Sequence, residues 1–145
     1  MLLLNGKETR LRISMENRRV GVDRLVDLLT SGAMSQAVAV AAELGIADVL
    51  CNGDKTIDEL ALLIRCNAPA LLRLMRALTA IELVTESSNK FALAPLGNLI
   101  RRDAPGGLRG AFLWWGKYRW RAWAHLAHSV KTGETAFDHA FGQTP

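Results

Sequence analysis

The chain has 145 residues, 50% of them hydrophobic: enough for one domain with a core, but too few to add a complete nucleotide-binding α/β domain of ~150 residues. Of the net +4, residues 1–19 supply +3, with Lys7, Arg10, Arg12, Arg18 and Arg19 against Glu8 and Glu16; the remainder is near +1 and lacks the basic balance usual in a nucleic-acid binder. Two cysteines, Cys51 and Cys66, form neither a disulfide framework nor a zinc spacing and point to a reducing cytoplasm, while no uninterrupted apolar run spans a bilayer and Asn5-Gly6-Lys7 ends Met1-Leu2-Leu3-Leu4 too soon for a signal peptide.

Residues 1–18 have no clear helical period and are expected to be a disordered extension, with the folded domain over 19–145. Residues 22–29 carry apolar side chains at helical spacing, and Ser31-Gly32 is expected to interrupt them. A second helix is expected over residues 34–44. Its small face, Met34, Ala37, Val38, Ala41 and Ala42, fits two readings: tight packing inside one subunit, or packing against a partner subunit, which would make these five a dimer interface.

Gly45 fits a helix C-cap, residues 46–50 a short apolar turn, and Asn52-Gly53 a turn. Thr56-Ile57-Asp58-Glu59 is a capping box, in which the Thr56 hydroxyl and the Glu59 carboxylate each satisfy a backbone N–H of the other end. The helix it starts, Ile57 to Ile64, is expected to bury Leu60, Leu63 and Ile64. Asn67-Ala68-Pro69 opens a third helix, with a capping amide and a proline in the first turn. Leu71, Leu74, Met75, Leu78 and Ile81 form its buried stripe, with Arg73 and Arg76 on the other side.

Residues 83–85 and 91–93 can pair as strands around a loop over 86–90. Pro95 starts a short helix to Ile100, and residues 101–107 read as a loop. Residues 108–130 read as one long helix, kinked at Gly116, ending at Thr132-Gly133-Glu134; Phe137, Ala140 and Phe141 follow as a docking segment. The long helix holds Trp114, Trp115, Trp120 and Trp123 with Lys117, Arg119 and Arg121 between them. Such interleaving can suit single-stranded nucleic acid, but Phe112, Trp115, Trp123, Leu126 and Val130 follow a helical stripe that fits packing better.

The order of helix, capped helix, Arg-bearing helix and hairpin predicts a mainly α fold: a winged helix-turn-helix with a small β-hairpin wing and flanking long helices. A module of this shape grips DNA or another chain. As a recognition helix the third helix offers only two arginines, and the hairpin opposes Lys90 with Glu86, so a small DNA-binding transcriptional regulator is the alternative rather than the leading reading. His125 and His128, three apart, would need His139 or a carboxylate as a third metal ligand, and no known metal spacing is present; none is expected. No G-x-G occurs, so no cofactor loop is expected, and no catalytic set is assembled.

Several segments in order resemble one family. Ala42-Glu43-Leu44-Gly45-Ile46-Ala47-Asp48-Val49-Leu50 is similar to the "LGI-DxL" opening of the S-adenosylmethionine-dependent O-methyltransferases related to hydroxyneurosporene, caffeate and antibiotic methyltransferases. Thr56-Ile57-Asp58-Glu59-Leu60-Ala61 resembles their "T-x-x-E-L-A", residues 72–78 their "L-x-R-L-L-R-x-L", and Phe91-Ala92-Leu93-Ala94-Pro95-Leu96-Gly97 their "F-x-L-T-x-x-G". Trp123-Ala124-His125-Leu126, with Lys131-Thr132-Gly133-Glu134 and Phe137, resembles "W-x-x-L … x-T-G-E-x-x-F". The resemblance runs over about residues 22–142. It implies the winged-helix dimerisation half of such an enzyme, an intertwined homodimer in the cytoplasm, not catalytic alone and binding no cofactor alone. The Rossmann-like catalytic half, which takes S-adenosylmethionine in the family, is absent from these residues. It also implies that Phe112, Trp115 and Trp123 serve the interface or the acceptor pocket, and that a methyltransferase catalytic domain is a partner. A stand-alone partner of a separately encoded methyltransferase is a further reading.

Overall fold

The computed structural model describes residues 6–142, with side chains described from Arg19 onward. It is mainly helical, with one small three-stranded antiparallel sheet. Of the extension expected over residues 1–18, residues 1–5 lie outside the described residues, and residues 6–18 are described as backbone within the first helix. The chain divides into two compact units, one ending at Ala33 and one beginning at Met34.

The first helix, α1, runs Gly6–Leu44, so Ser31-Gly32 does not interrupt it. A glycine inside a helix costs only about 1 kcal/mol. The neighbouring hydroxyls fold back onto the helix itself, Thr30 Oγ1 donating to the Val26 carbonyl at 2.9 Å and Ser31 Oγ to that of Leu28 at 2.8 Å. Within the first unit, Val20, Val22, Leu25, Val26, Leu28 and Leu29 are all exposed. By length and composition Arg19–Leu44 holds an 18-residue stretch apolar enough to cross a membrane, with a mean hydropathy of 1.4. The uninterrupted apolar runs within it are shorter, because Asp27 and the small polar residues break them without lowering the average much.

In the second unit, Gly45 at φ 70° ends α1 and turns the chain into α2 (Ile46–Leu50). A two-residue strand, β1 (Lys55–Thr56), leads into α3 (Ile57–Ile64). The capping box forms as expected: the Glu59 N–H donates to Thr56 Oγ1 at 3.3 Å and the Thr56 N–H to Glu59 Oε2 at 2.7 Å. Arg65 ends α3 in the left-handed region, and the Cys66 N–H reaches the Ala61 carbonyl at 2.9 Å, closing the helix end. Leu60 and Ala61 are the buried residues of α3, and Ile64 is half-buried. Leu63 is 56% exposed, which corrects its expected burial; residues 60, 61 and 64 make the inward stripe, and Leu63 falls beside it next to exposed Leu62.

The Thr56 N–H, then the Thr56 hydroxyl, hold the Glu59 carboxyl below its ordinary range, with Lys90 and Lys55 assisting. A carboxyl lowered on folding stabilises fully above its ordinary range, and that contribution disappears as the pH falls through the lowered value. Glu59→Gln is therefore expected to lower the melting temperature at neutral pH, and the gap from the unaltered chain to shrink as the pH falls below the ordinary carboxylate range. Thr56→Ala, which removes the cap itself, should cost about 1 kcal/mol in urea unfolding.

Asn67 caps α4 (Ala68–Ala80), its Oδ1 accepting from the Ala70 N–H at 3.0 Å, with Pro69 in the first turn. Leu71, Met75 and Leu78 are buried, with Leu74 and Ile81 half-buried beside them. The strands β2 (Val84–Ser87) and β3 (Lys90–Leu93) are longer than expected, joined by a two-residue turn, with Val84 opposite Leu93 and Ser87 opposite Lys90. Ser88 and Asn89 both take positive φ, which suits a type I′ hairpin turn. The unexpected β1 pairs with β3, giving the order β1-β3-β2. The largest fully buried side chains, Phe91, Ile46, Leu60, Met75 and Leu78, come from the sheet, α2, α3 and α4 and meet in one core with Val38 and Ala41 of α1.

A 3₁₀ turn, Leu96–Ile100, follows Pro95. The single long helix expected over residues 108–130 is corrected to four pieces: α5 (Arg109–Trp114), a π-helical segment (Trp115–Arg119), α6 (Trp120–Trp123) and α7 (Leu126–Thr132). Gly116 lies in the π segment, where an added Cβ would fall 2.6 Å from the Ala39 Cβ, so a side chain there would force the segments apart. His125, at φ −103°, leaves the helical region between α6 and α7. Gly133 ends α7 at φ 79°, and Thr135 caps α8 (Ala136–Phe141), which carries Phe137, Ala140 and Phe141.

Candidate functional site

Of the five small-face residues expected at an interface, Val38, Ala41 and Ala42 are buried by this chain's own core, at 6%, 0% and 1% exposure. Within this chain they face the core rather than solvent. Met34 and Ala37 are half-buried. Small side chains here let the sheet and α4 close onto α1, and the packing alternative accounts for this face.

Two other surfaces offer chemistry. The first is the run of exposed valines and leucines between Val20 and Leu29. Isolated exposed apolar residues are ordinary, whereas Val22, Leu25, Val26 and Leu29 fall on one side of the helix, within about 100° of arc, and make a stripe of the kind that marks an interaction surface; Val20 and Leu28 lie off it.

The second is an aromatic hollow in the second unit. Asp48 of α2 positions its first wall: Oδ1 accepts from the Arg102 N–H at 2.7 Å and Oδ2 from Arg109 Nη1 at 2.8 Å, tying the loop and the start of α5 to the core. From there the π-helical segment sets the side-chain phase. Trp114 and Arg119 are five apart, a separation that ordinary helical geometry splits around the axis and that an i→i+5 turn brings together. The Arg119 guanidinium carbon lies 5.3 Å from the Trp114 ring and 5.0 Å from that of Trp115. Trp115 and Trp123 lie 6.2 Å apart, tilted. Trp114, Arg119, Trp123, Leu126 and Phe137 line an open hollow of about 450 Å³, with Ala122, Thr135 and Ala136 completing the lining.

Trp115 and Trp123 are thus neighbouring rings, but of the three expected aromatics Trp123 alone lines this cavity, and Trp115 shares a separate hollow with Phe112. Phe112 packs against the core and lines separate hollows beside Leu108. Trp114, Arg119 and Phe137 are cavity residues that the helical stripe missed, because that stripe assumes a 3.6-residue period through a segment that does not keep it. The alternation of tryptophan with basic residues was the available signal.

The histidines come together differently from a metal site. His139 stacks on His128 with ring centres 4.0 Å apart and meets His125 edge-on at 4.9 Å, while His128 Nε2 lies 3.0 Å from Glu134 Oε2. Among the described residues no three His, Cys, Asp or Glu groups are placed to hold one metal ion.

Comparison with known proteins places these features. Residues 26–103 match the family described as the O-methyltransferase dimerisation domain. The chain is 38% identical over 132 residues to the phenazine O-methyltransferase PhzM of Lysobacter antibioticus, covering 88% of this chain and 39% of that one. It is 35% identical over 122 residues to O-demethylpuromycin-O-methyltransferase of Streptomyces alboniger, covering 83% of this chain and 32% of that one. Among solved structures it is similar to mitomycin 7-O-methyltransferase MmcR, with a TM-score of 0.83 and 28% identity over 90% of this chain and 39% of that one. The chain therefore spans well under half the length of the relatives it matches.

Proposed function

Because this chain belongs to the O-methyltransferase dimerisation-domain family, we propose that it is the self-association half of an S-adenosylmethionine-dependent O-methyltransferase and performs no methyl transfer alone. The observation that carries this reading is the exposed apolar stripe of α1 made by Val22, Leu25, Val26 and Leu29. Burying one leucine or valine side chain contributes about 1.5–3 kcal/mol, so this stripe pairing with a second copy is a drive to a homodimer. The face lies on α1 before Ala33, so the interface is proposed there rather than on Ala41 and Ala42.

The order α2, β1, α3, α4, β2, β3 supports the winged-helix reading, with the β2–β3 hairpin as the wing and β1 pairing onto it. In this reading the fold serves protein contact rather than DNA, and the aromatic hollow walls an acceptor pocket that a catalytic domain completes. Relatives that methylate a phenazine and a demethylpuromycin are consistent with a flat acceptor against tryptophan and phenylalanine faces.

The family's cofactor does not fit these residues. S-adenosylmethionine sites of this kind need glycines after a buried parallel strand, where backbone can approach the ligand. The strands here are antiparallel, and the space beside Gly107 is filled by Ala104 and the Leu99 carbonyl. The compartment proposed for the chain is the cytoplasm.

Leu25→Glu with Leu29→Glu is expected to raise the dimer dissociation constant at least about a hundredfold while far-UV circular dichroism stays helical. Light scattering coupled to size exclusion reads this directly. An unchanged molar mass in the double variant would remove α1 as the interface.

A further inference from the structure

The chain has three histidines, His125, His128 and His139, and the fold gathers all of them where α8 docks beside α7. The His139 ring of α8 stacks on that of His128 of α7 at 4.0 Å, 21° from parallel, and meets His125, which precedes α7, edge-on at 4.9 Å. Farther along α8, the Phe141 ring lies 6.2 Å from that of Tyr118 and 4.4 Å from the Arg121 guanidinium carbon. Among the described residues no ion pair or hydrogen bond joins α8 to α6 or α7, so packing, largely of rings, holds it in place. Docked there, α8 and its cap present Thr135, Ala136 and Phe137 to the aromatic hollow.

We propose that the three histidines form a proton-operated latch: uncharged, they keep α8 docked, and charged, they release it and remove one side of the hollow. Histidine is the side chain that ordinarily changes charge between about pH 5 and about pH 8. Over residues 121–142 the fixed charges cancel, Arg121 of α6 and Lys131 of α7 against Glu134 of the α7–α8 connection and Asp138 of α8, so the segment passes from neutral to +3 as the three rings charge. Glu134 offsets one of those charges, its Oε2 lying 3.0 Å from His128 Nε2. Asp138 pairs with none of the rings among the described residues, and its Oδ1 is buried without a hydrogen-bond partner. The charged His128 and His139 rings would be like charges in van der Waals contact, and Arg121 adds a third cation against α8 at Phe141. Undocking separates these charges, so protons favour the released state: docking is complete above the histidine range and is lost as the pH falls through it.

The test is amide hydrogen exchange of the full chain, expressed as protection factors, at about pH 7.5 and about pH 5. Protection over residues 136–141 is expected to fall at least about tenfold on acidification, while that of α4, which contains no histidine, holds. His139→Phe, which keeps a flat ring and cannot charge, should stay protected at both pH values. His128→Phe, which removes the other half of the stack, should reduce the fall, and Glu134→Gln, which removes the offsetting carboxylate, should enlarge it. Equal protection of α8 at both pH values, or a fall that the two phenylalanine variants retain in full, would overturn the latch. An equal loss from α4 would overturn it too, since acid would then be unfolding the whole unit. If His139→Phe leaves α8 unprotected even at about pH 7.5, His128→Phe decides alone: a reduced fall supports the latch and an undiminished one overturns it.

Discussion

Ala41→Glu is expected to unfold the second unit rather than merely to weaken an interface. Ala41 is 0% exposed and belongs to the core that joins α1 to Phe91, Met75 and Leu78. No buried polar or charged side chain occurs among the described residues, so the new carboxylate finds no partner. It would also find no room, since a methyl fills the site. An unpaired buried charge combined with overpacking costs more than about 4 kcal/mol, comparable with the whole stability of a domain this size. The measurement is a thermal melt followed by circular dichroism, with Ala33→Glu, exposed on the same helix, as the comparison. Ala41→Glu should show no cooperative transition at a temperature where Ala33→Glu remains folded. Equal melting temperatures would mean that Ala41 is not a core residue.

Gly97→Ala is expected to destabilise by about 3 kcal/mol, although alanine is the smallest possible side chain. A Cβ at this position would overlap the Leu83 carbonyl oxygen and press on Leu93 Cδ1. That carbonyl is already engaged by the Ala94 N–H at 3.1 Å, so backbone would have to move on both sides of the hairpin base. Gly110, in α5, has open space where its Cβ would be. Gly110→Ala should be neutral or stabilising by up to about 1 kcal/mol, because alanine loses less backbone entropy on joining a helix. A urea titration of the two variants should separate their midpoints in opposite directions. Equal and small effects would show that the chain relaxes around Gly97.

The parts of the fold legible in the sequence are those dictated locally. The Thr56–Glu59 box and the Asn67 cap announce α3 and α4, because each cap is a short-range hydrogen bond between residues three apart. Gly45 and Gly133 mark helix ends because both positions need positive φ. What failed depends on context beyond a few residues. Ser31-Gly32 reads as a break only if its backbone is assumed to prefer leaving the helix, and the hydroxyls of Thr30 and Ser31 bond within it instead. The two residues of β1 carry too little pattern to register, since their partner strand lies 34 residues on, Thr56 facing Lys90. The tryptophan-rich segment misled most, because a π-helical turn at Gly116 shifts every later side chain around the axis. For the same reason Trp114 and Arg119 fall outside the expected stripe although they line one cavity with Trp123 and Phe137, while Phe112 and Trp115 share another. The small face of α1 was legible as a packing face, but whether its neighbour is this chain or another is a tertiary fact, and burial assigns Ala41 and Ala42 to this chain.

The central claim is self-association, and the most direct measurement is the molar mass of the unaltered chain by sedimentation equilibrium over a range of concentrations. The account predicts twice the 15.9 kDa of one chain, with dissociation only on dilution. A mass of 15.9 kDa at every concentration, with the helices intact, would contradict it.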